Sequence, residues 1–199
     1  MPRPLILASG SAIRLQLLTN AGLTVTALPA RVDEDSLKAS LLAENAQPRD
    51  IADALAEMKA RKRSDRNPGD LILGCDQVLD LKGVILSKPN SLEDARSQLH
   101  SLRGQTHSLL SAAVLYDQGQ PIWRHIGQAR LTMRDASDAY IDAYLSRNWP
   151  AISQSVGGYM LESEGVRLFD RIEGDYFTIL GLPLLPLLSY LASRGFIDA

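Results

Sequence analysis

The chain has 199 residues and a formal net charge of −2 at pH 7, with acidic and basic residues dispersed rather than blocked. That length allows one sizeable core or two lobes sharing a sheet, and the lack of a basic field excludes a surface built to capture a nucleic-acid polymer. The single cysteine, Cys75, cannot form an intrachain disulfide; with no signal-peptide pattern in residues 1–8 and no apolar stretch of membrane length, a reduced, partly buried thiol and a cytoplasmic location are expected.

Leu5-Ile6-Leu7-Ala8 reads as a short strand, Ser9-Gly10-Ser11 as a tight loop, and Leu15 to Ala21 as a helix stopped by Gly22. Thr24–Leu28 is a second strand, and Asp33-Glu34-Asp35 an acidic loop or helix start. Pro48 opens a helix with Ile51, Ala52, Leu55 and Ala56 on its apolar side, and Lys59 continues that inner stripe. Leu71–Gly74 and Val78–Leu81 form an apolar run interrupted by Asp76 and Gln77, and Lys82-Gly83 turns the chain into Val84–Leu86. Ser87-Lys88-Pro89 leads to a helix over Leu92–Leu102. Thr106–Tyr116 and Pro121–Arg134 read as an antiparallel pair, followed by a helix over Ala136–Arg147 and a break at Trp149-Pro150. Gly157, Gly158 and Gly165 mark a loop region around Tyr159–Glu164. Tyr176–Leu180 is expected to be a strand before a closing helix from Leu184. No repeat or low-complexity linker divides the chain, so residues 1–199 are read as one domain of the α/β class.

Ser9-Gly10-Ser11 between a strand and a helix offers hydroxyls and backbone amides to a phosphate, with Arg14 one turn in, although a serine N-cap with no ligand has the same pattern. The loop has neither the lysine of a P-loop nor the glycine spacing of a dinucleotide fold. Asp76 is more telling, because a carboxylate inside an apolar strand run needs a partner, a proton or a cation. A salt bridge to Lys59 or Lys88 would satisfy it. A triphosphate site would too, since it requires carboxylates for a divalent ion, a base for water and cations for phosphate charge; Glu34, Asp76, Lys59, Lys88 and Arg14 supply that set. His100, His107 and His125 lack metal-ligand spacing, and Cys75 has no histidine to activate it, so acyl transfer is a poor fit.

The succession Leu7-Ala8-Ser9-Gly10-Ser11, Asp33-Glu34, Ala56-Glu57-Met58-Lys59-Ala60, Cys75-Asp76-Gln77-Val78 and Ser87-Lys88-Pro89 resembles the Maf family. Leu102-Arg103-Gly104-Gln105-Thr106-His107, Ile172-Glu173-Gly174-Asp175-Tyr176 and Leu180-Gly181-Leu182-Pro183-Leu184 resemble its later blocks, in the right order over nearly the whole chain. The resemblance implies an elongated mixed β-sheet with flanking helices, two lobes around a central cleft, and a homodimer. It also implies a nucleoside triphosphate pyrophosphatase using a divalent cation, magnesium or manganese. Carried over by motif, Asp76 is the general base, Glu34 and Asp76 hold the metal, and Ser9, Ser11, Arg14, Lys59 and Lys88 hold phosphates. The alternative, from the family's association with division, is a nucleotide-binding regulator of septum formation without significant catalysis.

The chain also departs from the family's usual pattern. Ser11-Ala12-Ile13-Arg14 stands where Ser-Pro-Arg-Arg is usual, Gln77 follows the aspartate in place of threonine, and Ser155 and Glu162 replace a lysine and a glutamine. Ile13, Gln77 and Glu162 resemble the 7-methyl-GTP pyrophosphatase branch. A carboxylate can accept both N1–H and the 2-amino group of guanine, and N7 methylation adds a positive charge that Glu162 would favour. Glu162 can equally be read as a solvent-facing loop acid ahead of Glu164.

Overall fold

The computed structural model describes residues 4–198. Residues 1–3, part of the segment read for a signal peptide, lie outside these, as does 199. Among the described residues no helix is long and apolar enough to cross a membrane.

The fold is a mixed seven-stranded sheet flanked by helices, with strand order β2-β1-β3-β5-β6-β7 and β4 paired to β3. Strand β1 (Leu5–Leu7), helix α1 (Ala12–Asn20) and β2 (Val25–Ala27) come first, then α2 (Glu34–Ala43), α3 (Pro48–Ser64), β3 (Leu71–Leu81) and β4 (Val84–Leu86). Helix α4 (Leu92–Leu102) precedes the long antiparallel pair β5 (Thr106–Asp117) and β6 (Gln120–Met133), and α5 (Asp138–Asn148), β7 (Phe169–Glu173), α6 (Tyr176–Ile179) and α7 (Leu184–Ser193) complete the chain.

Period-two alternation along β3 divides its side chains between two cores. Leu71, Leu73 and Cys75 face α1 and α7, while Ile72 and Val78 face the Ile51–Leu55 stripe of α3. A third core, built on Leu79, Leu109 and Leu131 with α4 and α5, forms the other lobe at the far end of the same strands.

The register explains where the cleft opens. Strand β1 pairs only with the start of β3, ending at Leu7 opposite Leu73, and β4 pairs only with its end, from Leu79 opposite Leu86. Residues 74–78 therefore have β5 on one edge and, among the described residues, no strand on the other. The crevice lies off the carboxyl ends of parallel β1 and β2, the usual ligand position in such sheets.

One expected element is overturned. Tyr176–Leu180 is not a strand: Tyr176–Ile179 is a helical turn, because the Asp175 carboxylate accepts from the amides of Phe177 and Thr178 and caps it. The final strand is instead Phe169–Glu173, whose Arg171 and Ile172 lie opposite Thr132 and Leu131 of β6. The expected helix at 136 starts at Asp138, where Ser137 supplies the cap.

Candidate active site

Asp76 is on the α3 side of β3, between Gly74 and Val78. A Cβ at Gly74 would lie 2.1 Å from the Ala56 carbonyl oxygen and 2.6 Å from the Ala60 nitrogen, so only glycine lets α3 come this close to the strand. That approach sets Lys59, itself on the buried stripe of α3, against the acid: Lys59 Nζ donates to Asp76 Oδ1 at 2.6 Å and pairs with Glu34 Oε1 at 3.0 Å. Lys59 and Asp76 are each 8% exposed. At that depth neither charge persists alone, and the pair satisfies both.

The loop after β1 is organised around Arg14. Its Nε donates to the Gly181 carbonyl at 2.7 Å, and its Nη1 to Ser9 Oγ and to the Cys75 carbonyl, both at 3.2 Å. The last contact caps a carbonyl on the open edge of β3. Arg14 is thus pinned to the cleft wall, with Nη2 left unpartnered among the described residues. Ser11 caps α1, accepting from the Arg14 amide at 3.4 Å, and Ser9 Oγ accepts from the Ser11 amide at 3.2 Å, which leaves the hydroxyl protons of both serines to donate.

The opposite rim comes from α2 and the segment after β4. Asp33 caps α2 by accepting from the Ser36 amide, which places Glu34 in its first turn and Lys38 one turn later on the same face. Lys38 Nζ donates to Ser87 Oγ at 2.9 Å, joining α2 to the segment that carries Lys88. Sequence reasoning missed Lys38; its i, i+4 spacing from Glu34 would have indicated it had the acidic stretch been read as a helix. Lys88 is exposed in total surface, yet withdrawal of its ammonium from water holds its pKa below the ordinary lysine value. The positive charges of Arg14 and Lys59 add to the lowering, and Glu34 and Asp76 oppose it. Lys88 lines the same cleft as all four groups. Cys75 is fully buried rather than partly so, and burial pushes its thiol up to about 11, which removes it as a nucleophile.

Ile13, Gln77 and Glu162 line the same cleft. Gln77 Nε2 donates to the carbonyls of Ile179 at 2.9 Å and Thr178 at 3.2 Å, and to Ser111 Oγ at 2.9 Å, so its nitrogen is committed to α6 and β5. Glu162 is exposed and, among the described residues, has no hydrogen-bond or ion-pair partner, whereas Glu164 is held by Arg147 and Asn148. Beneath them, Tyr159 bonds through its hydroxyl to His107 Nε2 at 2.7 Å. All ten residues singled out in the sequence border one cleft of about 760 Å³, large enough for a nucleotide.

A family model described as Maf-like protein matches residues 4–194. The chain belongs to the Maf-like family. Among its relatives, a nucleoside triphosphate pyrophosphatase of Ruegeria pomeroyi is 63% identical over 198 residues, covering 100% of both chains. One of Roseobacter denitrificans is 63% identical over 98% of each. A 7-methyl-GTP pyrophosphatase of Mesorhizobium japonicum is 50% identical over 100% of both. A solved nucleoside-triphosphatase / dITP/XTP pyrophosphatase of Mycobacterium abscessus is a remote likeness, with 15% identity and a TM-score of 0.44 over 96% of this chain and 95% of that one.

Within this Maf-like frame, the departures from the usual pattern fall on the cleft lining. Ile13 is half-buried against the α1 and α7 core, and Ser155 also borders the cleft. Neither carries a positive charge, and Glu162 makes no ion pair among the described residues. As for a divalent ion, no group of three His, Cys, Asp or Glu gathers among the described residues. The donor set still fits one: two carboxylates converge on a single point, and their ion pairs with Lys59 use only Asp76 Oδ1 and Glu34 Oε1. Magnesium commonly takes one or two protein carboxylates and fills its other positions with phosphate oxygens and water.

Proposed function

We propose that this chain is a nucleoside triphosphate pyrophosphatase, hydrolysing its substrate between the α and β phosphates to a nucleoside monophosphate and pyrophosphate. The observation that carries the reading is a buried carboxylate, Asp76, 2.6 Å from Lys59 in a nucleotide-sized cleft lined by further cations. The names of relatives covering the whole chain support it. Asp76, fixed in mid-strand, takes the proton of a water attacking the α phosphorus in line through Oδ2, the oxygen to which Lys59 does not bond. The new bond joins water oxygen to that phosphorus, the bond to the bridging oxygen breaks, and pyrophosphate leaves with Lys59 and Lys88 beside its developing charge. Ser9 and Ser11 donate to phosphate oxygens, and Arg14 contributes through Nη2. Glu34 and Asp76 would hold a divalent cation, magnesium or manganese, which supplies further neutralisation of phosphate charge when bound.

For the base, 7-methyl-GTP is the substrate this reading favours. Glu162 offers the cleft a carboxylate without a partner among the described residues, and relatives named for that activity are 46–50% identical. Assembly as a homodimer belongs to the same proposal. A regulator that only binds nucleotide would need the cations, but not a buried acid held against them.

The test is pyrophosphate release from a nucleotide panel with magnesium. The Asp76→Asn variant retains an oxygen for Lys59 to bond and should keep its fold while losing about 10²–10⁴ of kcat. Turnover near that of the wild type would remove Asp76 as the base.

A further inference from the structure

The polar groups on the cleft floor are arranged as acid, ammonium, acid. Lys59 Nζ lies 3.0 Å from Glu34 Oε1 and 2.6 Å from Asp76 Oδ1, so a lysine stands at the point which a cation shared by both carboxylates would occupy. We propose that Lys59 is a placeholder for the divalent cation: it holds Glu34 and Asp76 together while the cleft lacks nucleotide, and moves onto the triphosphate when nucleotide arrives, so that metal enters with the nucleotide and not before it. This rests on the pyrophosphatase reading above.

Three features support the exchange. Asp76 has a side chain only 11% exposed and is fixed in mid-strand, so with Glu34 close by it requires a cation at all times, and Lys59 is the one bonded to it. A divalent ion arriving alone would have to displace or adjoin Lys59, with Arg14 and Lys88 lining the same cleft, and like charges oppose that entry. A triphosphate reverses the balance by bringing several negative charges and attracting the ammonium.

The two arms of the bridge also differ in rigidity. The Glu34 side chain is 45% exposed, and it sits on α2, a helix with no fully buried residue, so this arm can open without disturbing a core. The lysine ammonium has three protons on a flexible stem and can pass one bond at a time from carboxylate to phosphate oxygen.

The experiment titrates Mn²⁺ into nucleotide-free protein and follows the free ion by electron paramagnetic resonance, so binding is read instead of turnover. Wild-type protein should take up Mn²⁺ weakly, and Lys59→Gln, which can still donate to Asp76, should bind it at least about tenfold more tightly. Lys59→Arg, which keeps the bridging charge, should remain weak. Lys88→Gln removes a positive charge from the same cleft without freeing the carboxylates, and should change Mn²⁺ affinity much less than Lys59→Gln. Equal gains in the two glutamine variants, or no gain in Lys59→Gln, would overturn the proposal. A wild-type arm stands independently of any variant: adding a nucleotide with a methylene bridge between its α and β phosphorus atoms should raise Mn²⁺ affinity, and equal affinity without it would also overturn the proposal. Pyrophosphate release by the wild-type enzyme separates failure of this inference from failure of the hydrolase reading.

Discussion

Glu162 and Glu164 are two residues apart, yet their surroundings differ. Bonds from Arg147, then Asn148, draw the Glu164 carboxyl down to about 2 and mark it as part of the fold. Glu162 is exposed, has no such partner among the described residues and borders the cleft. Replacing Glu162 with glutamine removes a charged acceptor from the cleft lining while leaving Lys59, Lys88 and their partners in place. The ratio of kcat/KM for 7-methyl-GTP to that for UTP should fall about tenfold, in the range of one charge-assisted hydrogen bond. An unchanged ratio would mean the base is read elsewhere. At this scale the sequence was most legible where polarity contradicted its setting. Asp76 in an apolar strand and Lys59 on an apolar helix stripe each demanded a partner, and each is the other's. Arg14 was less legible: its bonds to Gly181 and Cys75 join residues far apart in the chain, which no local pattern encodes.

Strands and helices whose hydrophobic period was clean appear where the period put them, notably α3, α4 and the β5–β6 pair. The misreading at Tyr176 has a local cause. Tyrosine, phenylalanine, threonine and isoleucine favour strands on average, but a capping carboxylate at Asp175 satisfies two amides at once and fixes a helical turn. Gly74 held a signal that could not be weighed from sequence, because its meaning depends on which helix crosses it. An added Cβ there meets the backbone of Ala56 and Ala60, which cannot rotate away as a side chain could. Gly74→Ala should therefore push α3 off β3, costing about 1–3 kcal/mol in urea unfolding and lowering turnover further by drawing Lys59 from Asp76. Gly69→Ala is the matched control, since its new Cβ would meet nothing within 4 Å. Equal effects in the two variants would show that close helix–strand contact is not what Gly74 provides.

For the molecule as a whole, the second lobe holds a titratable group that links folding to pH. His107 is 2% exposed, bonds Tyr159 through Nε2 and leaves Nδ1 buried without a partner among the described residues. Burial lowers its pKa from 6.5 to about 4, so the folded state favours the neutral ring. A histidine with a depressed folded pKa contributes its full stability above the unfolded value and loses it as pH falls from about 6.5 towards 4, because the unfolded chain then binds a proton that the native state refuses. The size of the shift sets the loss at about 3 kcal/mol when the window has been crossed. Glu164 behaves differently: its contribution is present above 4.5 and fades only as pH falls towards 2, so the windows barely overlap. Urea unfolding between pH 7 and 4.5 should consequently show a decline that belongs mainly to the His107 lobe. In His107→Leu, which removes the titrating ring and keeps an apolar side chain beside Phe169, that decline should flatten even if the variant is less stable at pH 7. An acid limb as steep as in the wild type would assign the pH dependence to other groups and free His107 of the role.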